Sequence, residues 1–126
     1  MIYDDTIKEV AVFKIEFYKK EDGTAPAREF VQGLPSKMRA KALSVLDYIE
    51  EHGTTAREPF SKYIGDGIFE ARISSGGSAA RVLYFFYVGE KIVLTNGFVK
   101  KTQKTPKKEI KKAIAYKADY EKRSGR

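Results

Sequence analysis

The stretch that decides the fold is residues 68–99, IFEARISSGGSAARVLYFFYVGEKIVLTNGFV. It contains three runs of β-branched and aromatic residues, at residues 68–73, 81–88 and 92–99, and such runs are typical of strands. Two short connections, SSGGSA and GEK, separate the runs, and both contain the glycine that hairpin turns favour. Three strands joined by hairpins predict an antiparallel sheet.

Upstream of this stretch the sequence predicts one strand and two helices. Residues 9–19, EVAVFKIEFYK, alternate partly between apolar and charged side chains and predict the strand. Thr24 and Pro26 indicate the N-cap and first turn of a short helix, which Gly33 ends. A second helix follows and ends at Gly53. Its apolar residues recur at helical spacing and form one stripe, made of Met38, Ala42, Val45, Leu46 and Ile49.

The segments that remain complete the predicted order of elements. Residues 54–66 are predicted to be irregular, and a last helix begins at Thr105 and Pro106 and reaches about Lys122. The order β-α-α-β-β-β-α predicts an α+β fold with an N-terminal strand, a helical hairpin, a three-stranded antiparallel meander joining one sheet, and a C-terminal helix. The length fits a single domain over residues 1–126.

Positive charge is concentrated in the second half of the chain. Residues 1–60 hold 9 Lys and Arg against 11 Asp and Glu, whereas residues 61–126 hold 15 against 6, within a net charge of +7. A regional cationic excess suits a polyanion, because each contact with a phosphate releases condensed counterions. The alternative is a solvated surface that only keeps the protein in solution.

The composition also excludes several classes of protein. The chain has no cysteine, which rules out disulfides, thiolate metal sites and thiol catalysis. Charged residues interrupt the N-terminal segment, so it contains no signal-peptide core. No apolar run approaches the roughly 20 residues of a membrane-spanning helix. We therefore expect a cytoplasmic protein that does not enter a membrane.

Two arginines lie inside predicted strands. Alternation puts Glu70 and Arg72 on one face of the first strand of the meander, and Arg81 opens the next strand. The hairpin connection brings Arg72 and Arg81 close together across the two strands. Two interpretations remain open at this point: a clamp for a phosphate, to which arginine geometry is suited, or an exposed ion-pair cluster in which Glu70 is the carboxylate.

A lysine-rich segment follows the last strand. Residues 98–112, FVKKTQKTPKKEIKK, contain seven lysines and one acidic residue. Lys107 and Lys108 fall in the first turn of the last helix, where the helix dipole disfavours cations. A phosphate bound at the helix N-terminus would favour them, whereas the alternative is a merely solvated lysine face.

These residues carry a resemblance to a known family. GIFEARI at residues 67–73, RVLYFF at residues 81–86 and IVLTNGFVKKTQKTP at residues 92–106 resemble the HigB-like, phage-derived branch of the RelE/ParE toxins. The helical hairpin, with Leu34-Pro35 and the EEHG sequence at residues 50–53, is also similar to that branch. The resemblance extends from the first strand to about Tyr120.

The resemblance implies a ribosome-dependent endoribonuclease that cuts translated messenger RNA by attack of the 2′-hydroxyl, without a metal ion or other cofactor. It also implies a cognate helix-turn-helix antitoxin (HigA-like), a toxin–antitoxin hetero-oligomer, and the ribosome and mRNA as partners. Carried over by position, the catalytic candidates are Arg72, Arg81, Lys100 and Lys104.

The chemistry of RNA cleavage gives these positions roles. Arg72 and Arg81 can stabilise charge on the phosphorus, and Lys100 or Lys104 can transfer a proton if crowding by other cations lowers its pKa. Stacking on an unpaired base is a role for aromatic residues, although core packing is the alternative for Tyr84. The predicted RNA-binding residues are Lys101, Lys107, Lys108, Phe98 and Tyr84.

Two positions depart from the pattern of related sequences, which often have His at Asn96 and an aromatic residue at Ala80. The only histidine, His52, is predicted to interact with the C-terminus of the second helix. No acidic residues have metal-ligand spacing. Two other functions stay open: a ParE-like protein inhibitor of gyrase, and a non-catalytic nucleic-acid-binding module.

Overall fold

One five-stranded sheet, in the order β1-β5-β4-β3-β2, organises the structure. The computed structural model describes residues 12–125. The strands are β1 (Lys14–Phe17), β2 (Ser61–Gly65), β3 (Ile68–Ser75), β4 (Ser78–Tyr87) and β5 (Lys91–Val99). The helices are α1 (Pro26–Gln32), α2 (Ser36–His52), a short 3-10 helix (Gly53–Thr55) and α3 (Lys107–Gly125). The predicted α+β class is confirmed.

The hairpin between β3 and β4 is tighter than predicted. Gly76 and Gly77 alone form its turn, with φ of +56° and +85°, a conformation that glycine adopts at no steric cost. Strand pairing therefore continues to Ser75 and Ser78 at the ends of the two strands.

Strand β2 was not predicted, because it lies in the segment that the sequence indicated to be irregular. It pairs antiparallel with β3 and forms one edge of the sheet. The meander therefore has four strands, and the order of elements is β-α-α-β-β-β-β-α. A five-residue edge strand with a bulge, SKYIG, has no clear alternation to reveal it.

Strand β1 forms the opposite edge and runs parallel to β5. It is shorter than the predicted strand at residues 9–19: the described part of that segment is extended over Lys14–Phe17, and residues 9–11 lie outside the described residues. Because β1 is parallel to β5 whereas the other strand pairs are antiparallel, the sheet is mixed and not purely antiparallel.

The predicted N-cap of the first helix is wrong. Thr24 donates hydrogen bonds from both its backbone N–H and its hydroxyl to Asp22 Oδ1, which is a turn interaction. Ala25 occupies the N-cap position, and its N–H reaches the Glu29 carboxylate at 3.3 Å. Gly33 and Gly53 end the two helices as predicted.

Two cores lie on opposite faces of the sheet. Helices α1 and α2 cover one face, and the predicted apolar stripe of α2 is buried there. Helix α3 covers part of the other face. In β3, Ala71 and Ile73 belong to the first core and Ile68 to the second, so the predicted alternation of this strand is confirmed.

A bulge in β5 changes which side chains face α3. Leu83 pairs with Asn96 while its neighbour Tyr84 pairs with Leu94, so Thr95 is an extra residue. Beyond it the alternation shifts by one. As a result Phe98 joins the core under α3, directly opposite Arg81.

Candidate functional site

An open groove of about 250 Å³ lies between the β2–β3 edge of the sheet and the segment that leads into α3. Its lining includes three cations and one carboxylate from three parts of the chain. The lining residues are Lys62, Ile64, Glu70, Arg72, Gln103, Lys104, Thr105 and Ile110. Net positive charge in a concave surface attracts phosphate groups.

Arg72 and Arg81 are direct cross-strand partners, as the hairpin predicted. The Glu70 carboxylate interacts with both: its Oε2 atom is 3.0 Å from Arg72 Nε and 3.7 Å from Arg81 Nε. The ion-pair cluster that the sequence left open is therefore present. It is largely buried rather than exposed, because the Glu70 side chain is only 3% exposed.

The two arginines differ in how much of the groove they reach. The Arg72 side chain is 26% exposed and lines the groove. The Arg81 side chain is 10% exposed and is not part of the lining. Its Nη1 donates to the Ala80 carbonyl at 2.9 Å, whereas its Nε has no hydrogen-bond partner among the described residues. Burial lowers the pKa of the Arg81 guanidinium from its ordinary value. Of the two arginines that were predicted to form a phosphate clamp, only Arg72 is therefore accessible from the groove.

The lysines after β5 also separate into different positions. Lys100 donates from Nζ to the carbonyls of Thr102 and Gln103, inside its own loop. It therefore braces the loop and does not line the groove. Lys104 lines the groove, next to Thr105. Of the two lysines predicted to transfer a proton, only Lys104 lies where a ligand would bind.

The remaining predicted lysines lie outside the groove lining. Lys101, Lys107 and Lys108 are exposed. Lys107 and Lys108 occupy the first turn of α3, as predicted. They can extend the positive field beyond the groove, although none of the three lines it.

The structure contradicts the stacking role for Tyr84. Its ring has no exposed surface and lies in the core under α1 and α2, where its hydroxyl bonds to Ser61. Phe98 is 8% exposed and packs in the core under α3. Neither ring offers a face to a base, because the neighbouring core residues already cover both.

The family model described as "Phage derived protein Gp49-like (DUF891)" matches residues 29–117, about seven-tenths of the chain. The chain belongs to this Gp49-like family. The match includes every residue that lines the groove. Gp49-like proteins are a phage-derived, toxin-like family of the HigB/RelE type, so that part of the predicted resemblance is confirmed, whereas membership of the RelE/ParE superfamily and of its HigB-like branch stays a prediction. A search of curated proteins returned no match.

The two positions that were predicted to depart from the family pattern are both buried in this Gp49-like protein. Asn96 is 3% exposed, and its Nδ2 donates to the backbone carbonyl and the carboxylate of Glu109 at 3.2 and 3.1 Å. Ala80 is fully buried in the core under α1 and α2. Neither residue lines the groove. The amide of Asn96 fastens the first turn of α3 to β5.

Sequence reasoning missed three polar residues of the groove: Lys62, Gln103 and Thr105. Lys62 was missed because β2 was not predicted, and its register opposite Glu70 is what brings it to the groove. Thr105 was read only as a helix start, whereas its hydroxyl donates to Glu70 Oε1 at 2.5 Å. The sequence signal that could have placed Lys62 in a strand was weak, because the run Ser61 to Ile64 is short and contains only one aromatic and one β-branched residue.

Within residues 12–125, no group of three or more His, Asp or Glu residues is arranged to hold a metal ion. His52 ends α2, where its Nδ1 lies 2.9 Å from the Tyr48 carbonyl, in agreement with its predicted position. None of the helices over the same residues is long and apolar enough to cross a bilayer.

Proposed function

We propose that this Gp49-like protein is the toxin of a type II toxin–antitoxin system and that it cleaves translated mRNA in the basic groove. The observation that carries the proposal is the convergence of Lys62, Arg72 and Lys104 on one groove. They come from β2, β3 and the segment before α3. Cations that converge from separate elements are better placed to bind one phosphodiester than lysines spread over a solvated face are.

The proposed reaction is internal transesterification of RNA. The 2′-hydroxyl oxygen bonds to the adjacent phosphorus, the bond from phosphorus to the 5′-oxygen breaks, and the products carry a 2′,3′-cyclic phosphate and a 5′-hydroxyl. One proton leaves the 2′-oxygen and one is delivered to the 5′-oxygen. Because RNA supplies the nucleophile, the protein has to hold the phosphate, offset the charge of the phosphorane and transfer protons.

The residues of the groove fit these tasks. In the proposal, Arg72 and Lys62 bind the non-bridging phosphate oxygens and offset their growing charge. Lys104 takes part in proton transfer, with Lys101, Lys107 and Lys108 binding phosphates further along the strand. Arg81 acts from beneath the groove, through Glu70 and the positive field, rather than by contact.

The proposal also includes partners. The ribosome would present the mRNA, and a cognate helix-turn-helix antitoxin would hold the toxin inactive in a hetero-oligomer. An antitoxin that is acidic where it docks would cover the groove. A complex in which the antitoxin lies far from Arg72 and Lys104 would contradict this direct occlusion.

The test is induced expression without any partner, with primer extension on cellular mRNA. Arg72→Gln and Lys104→Gln each remove one groove cation. Lys41→Gln is the matched control, because Lys41 is exposed on α2, which packs on the opposite face of the sheet. Arg81 is avoided as a first probe because it is buried.

Growth arrest with discrete in-frame cuts is expected for the wild type and for Lys41→Gln, and both signs should be lost in Arg72→Gln and Lys104→Gln. Arrest with intact mRNA would refute the nuclease and favour an inhibitor of a target protein such as gyrase. Absence of arrest would favour a binding module without catalysis.

A further inference from the structure

Glu70 is the acidic residue of the groove lining, yet little of its carboxylate is open to solvent. Its side chain is 3% exposed. One oxygen, Oε2, lies 3.0 Å from Arg72 Nε and 3.7 Å from Arg81 Nε, and the other, Oε1, accepts a 2.5 Å hydrogen bond from Thr105. A single buried carboxylate therefore joins β3, β4 and the segment before α3.

The contact with Glu70 determines which part of Arg72 remains available. The Nε–H of Arg72 is directed at Glu70, so the donors left for a ligand are those of the two Nη groups. Nη1 is also 3.7 Å from Glu58, but that carboxylate is 62% exposed and solvent weakens the contact. Arg72 is thus held at its inner edge, with its outer edge open.

The same carboxylate makes the arginine pair possible. Arg72 and Arg81 are directly opposite on neighbouring strands, where like charges destabilise a sheet. Glu70 lies between them and offsets this repulsion. Thr105 adds a neutral donor to the other oxygen, so both carboxylate oxygens have partners within the fold. This leaves little capacity for Glu70 to interact with a substrate directly.

We infer that Glu70 is a positioning residue, which orients the Arg72 guanidinium toward the scissile phosphate and does not itself touch RNA. The inference rests on the proposed function. Two opposite effects follow. The negative charge of Glu70 offsets one cation of the groove and weakens phosphate binding, whereas the fixed orientation of Arg72 accelerates the reaction.

Glu70→Gln separates these effects, because glutamine keeps the size of the side chain and removes its charge. The amide nitrogen cannot accept a hydrogen bond, so the link to either Arg72 or Thr105 is lost. RNA binding is expected to tighten by at most about fivefold, the effect of one unit charge at about 4 Å in water. Cleavage is expected to slow by up to about 10²-fold, as for a misplaced contact group.

The experiment compares two quantities in the full-length protein. Single-turnover cleavage is measured on ribosomes translating a defined mRNA, and binding is measured by fluorescence anisotropy of a short single-stranded RNA. Glu70→Gln and Glu70→Asp are the test variants, with circular dichroism as the check of folding. Glu51→Gln is the matched control, since Glu51 is exposed near the end of α2 and the substitution removes the same charge.

Tighter binding with slower cleavage in Glu70→Gln is the expected result. If that variant does not fold, Glu70→Asp replaces it: the charge stays but the side chain is shorter, so binding should match the wild type and cleavage should slow. Cleavage at the wild-type rate, or parallel loss of binding and cleavage, would overturn the inference.

A further readout keeps the inference separate from the proposed function. If the wild type does not cleave mRNA, the proposed function fails, and the NMR signal of the Arg72 Nε proton decides about Glu70. Slow solvent exchange of that proton in the wild type and fast exchange in Glu70→Gln would support positioning. Equal exchange in the two proteins would overturn it.

Discussion

Replacing Arg72 and Arg81 by glutamine should have very different effects on stability, although the two residues face each other across one strand pair. The Arg81 side chain is 10% exposed and the Arg72 side chain 26%. At 3.7 Å from Glu70, the Arg81 charge gains roughly 4 kcal/mol if the effective dielectric constant is about 20. Its desolvation, which also lowers the pKa of Arg81, offsets part of that gain.

Removing one partner of a buried pair is nevertheless costly, because the other charge remains buried. We expect Arg81→Gln to lower the free energy of unfolding by about 3 kcal/mol. Arg72→Gln leaves the Glu70 carboxylate near Arg81, and the Arg72 side chain itself is partly exposed, so a loss of about 1 kcal/mol is expected. Urea unfolding at neutral pH, followed by circular dichroism, measures both values. The slope with urea concentration serves as the control for a two-state transition.

An equal loss in the two variants, or a larger one for Arg72→Gln, would refute this assignment of Arg81 as a buried support. The result also decides how activity data are interpreted. If Arg81→Gln is the less stable variant, a loss of cleavage in it has a folding component, whereas a loss in Arg72→Gln reports on the groove. Combined substitution of both arginines would mix the two causes.

Three other predictions concern the groove, the packing of α1 and the pH range of stability. Lys62→Gln should reduce the slope of log affinity for single-stranded RNA against log salt by about 0.7, and an unchanged slope, equal to that of Lys41→Gln, would exclude a phosphate contact. Gly97→Ala should lower the free energy of unfolding in urea by about 2 kcal/mol, because the added Cβ would overlap the Phe30 ring; a stability equal to the wild type would contradict that packing. Burial raises the pKa of Tyr84 from 10.0 to about 12. The folded state therefore binds the Tyr84 proton more tightly, and its contribution is complete below pH 10.0 and lost as the pH rises to about 12. The urea midpoint should fall over this range, and it should fall less steeply in Tyr84→Phe. A smaller fall should remain in that variant, because the pKa values of Tyr18 and Tyr120 are also raised to about 12.

The features that were predicted from the sequence depend on local patterns. Apolar spacing predicted the buried stripe of α2, and glycine-containing connections predicted the hairpins of the sheet. The proximity of Arg72 and Arg81 followed from one hairpin and the alternation of a strand. Each of these depends on residues that are close in the chain, so periodicity and turn chemistry were enough.

The features that were not predicted depend on contacts between distant segments. Strand β2 is extended because β3 pairs with it, and only that pairing brings Lys62 to the groove. Thr105 reaches Glu70 across 35 positions of sequence. The bulge at Thr95 turns Phe98 toward α3, against the simple alternation from Ile92. No local pattern specifies any of these contacts.

The predicted site residues show most clearly what the sequence could predict and what only the tertiary structure decides. Charge distribution and motif resemblance were sufficient to select the basic second half of the chain, residues 61–126, and a toxin-like family. They could not distinguish Lys104, which lines the groove, from Lys100, which binds carbonyls of its own loop. They also could not separate the partly exposed Arg72 from the buried Arg81. The physical reason is that side-chain burial and direction depend on what packs above the sheet, and here the segment before α3 decides which cations remain open to a phosphate.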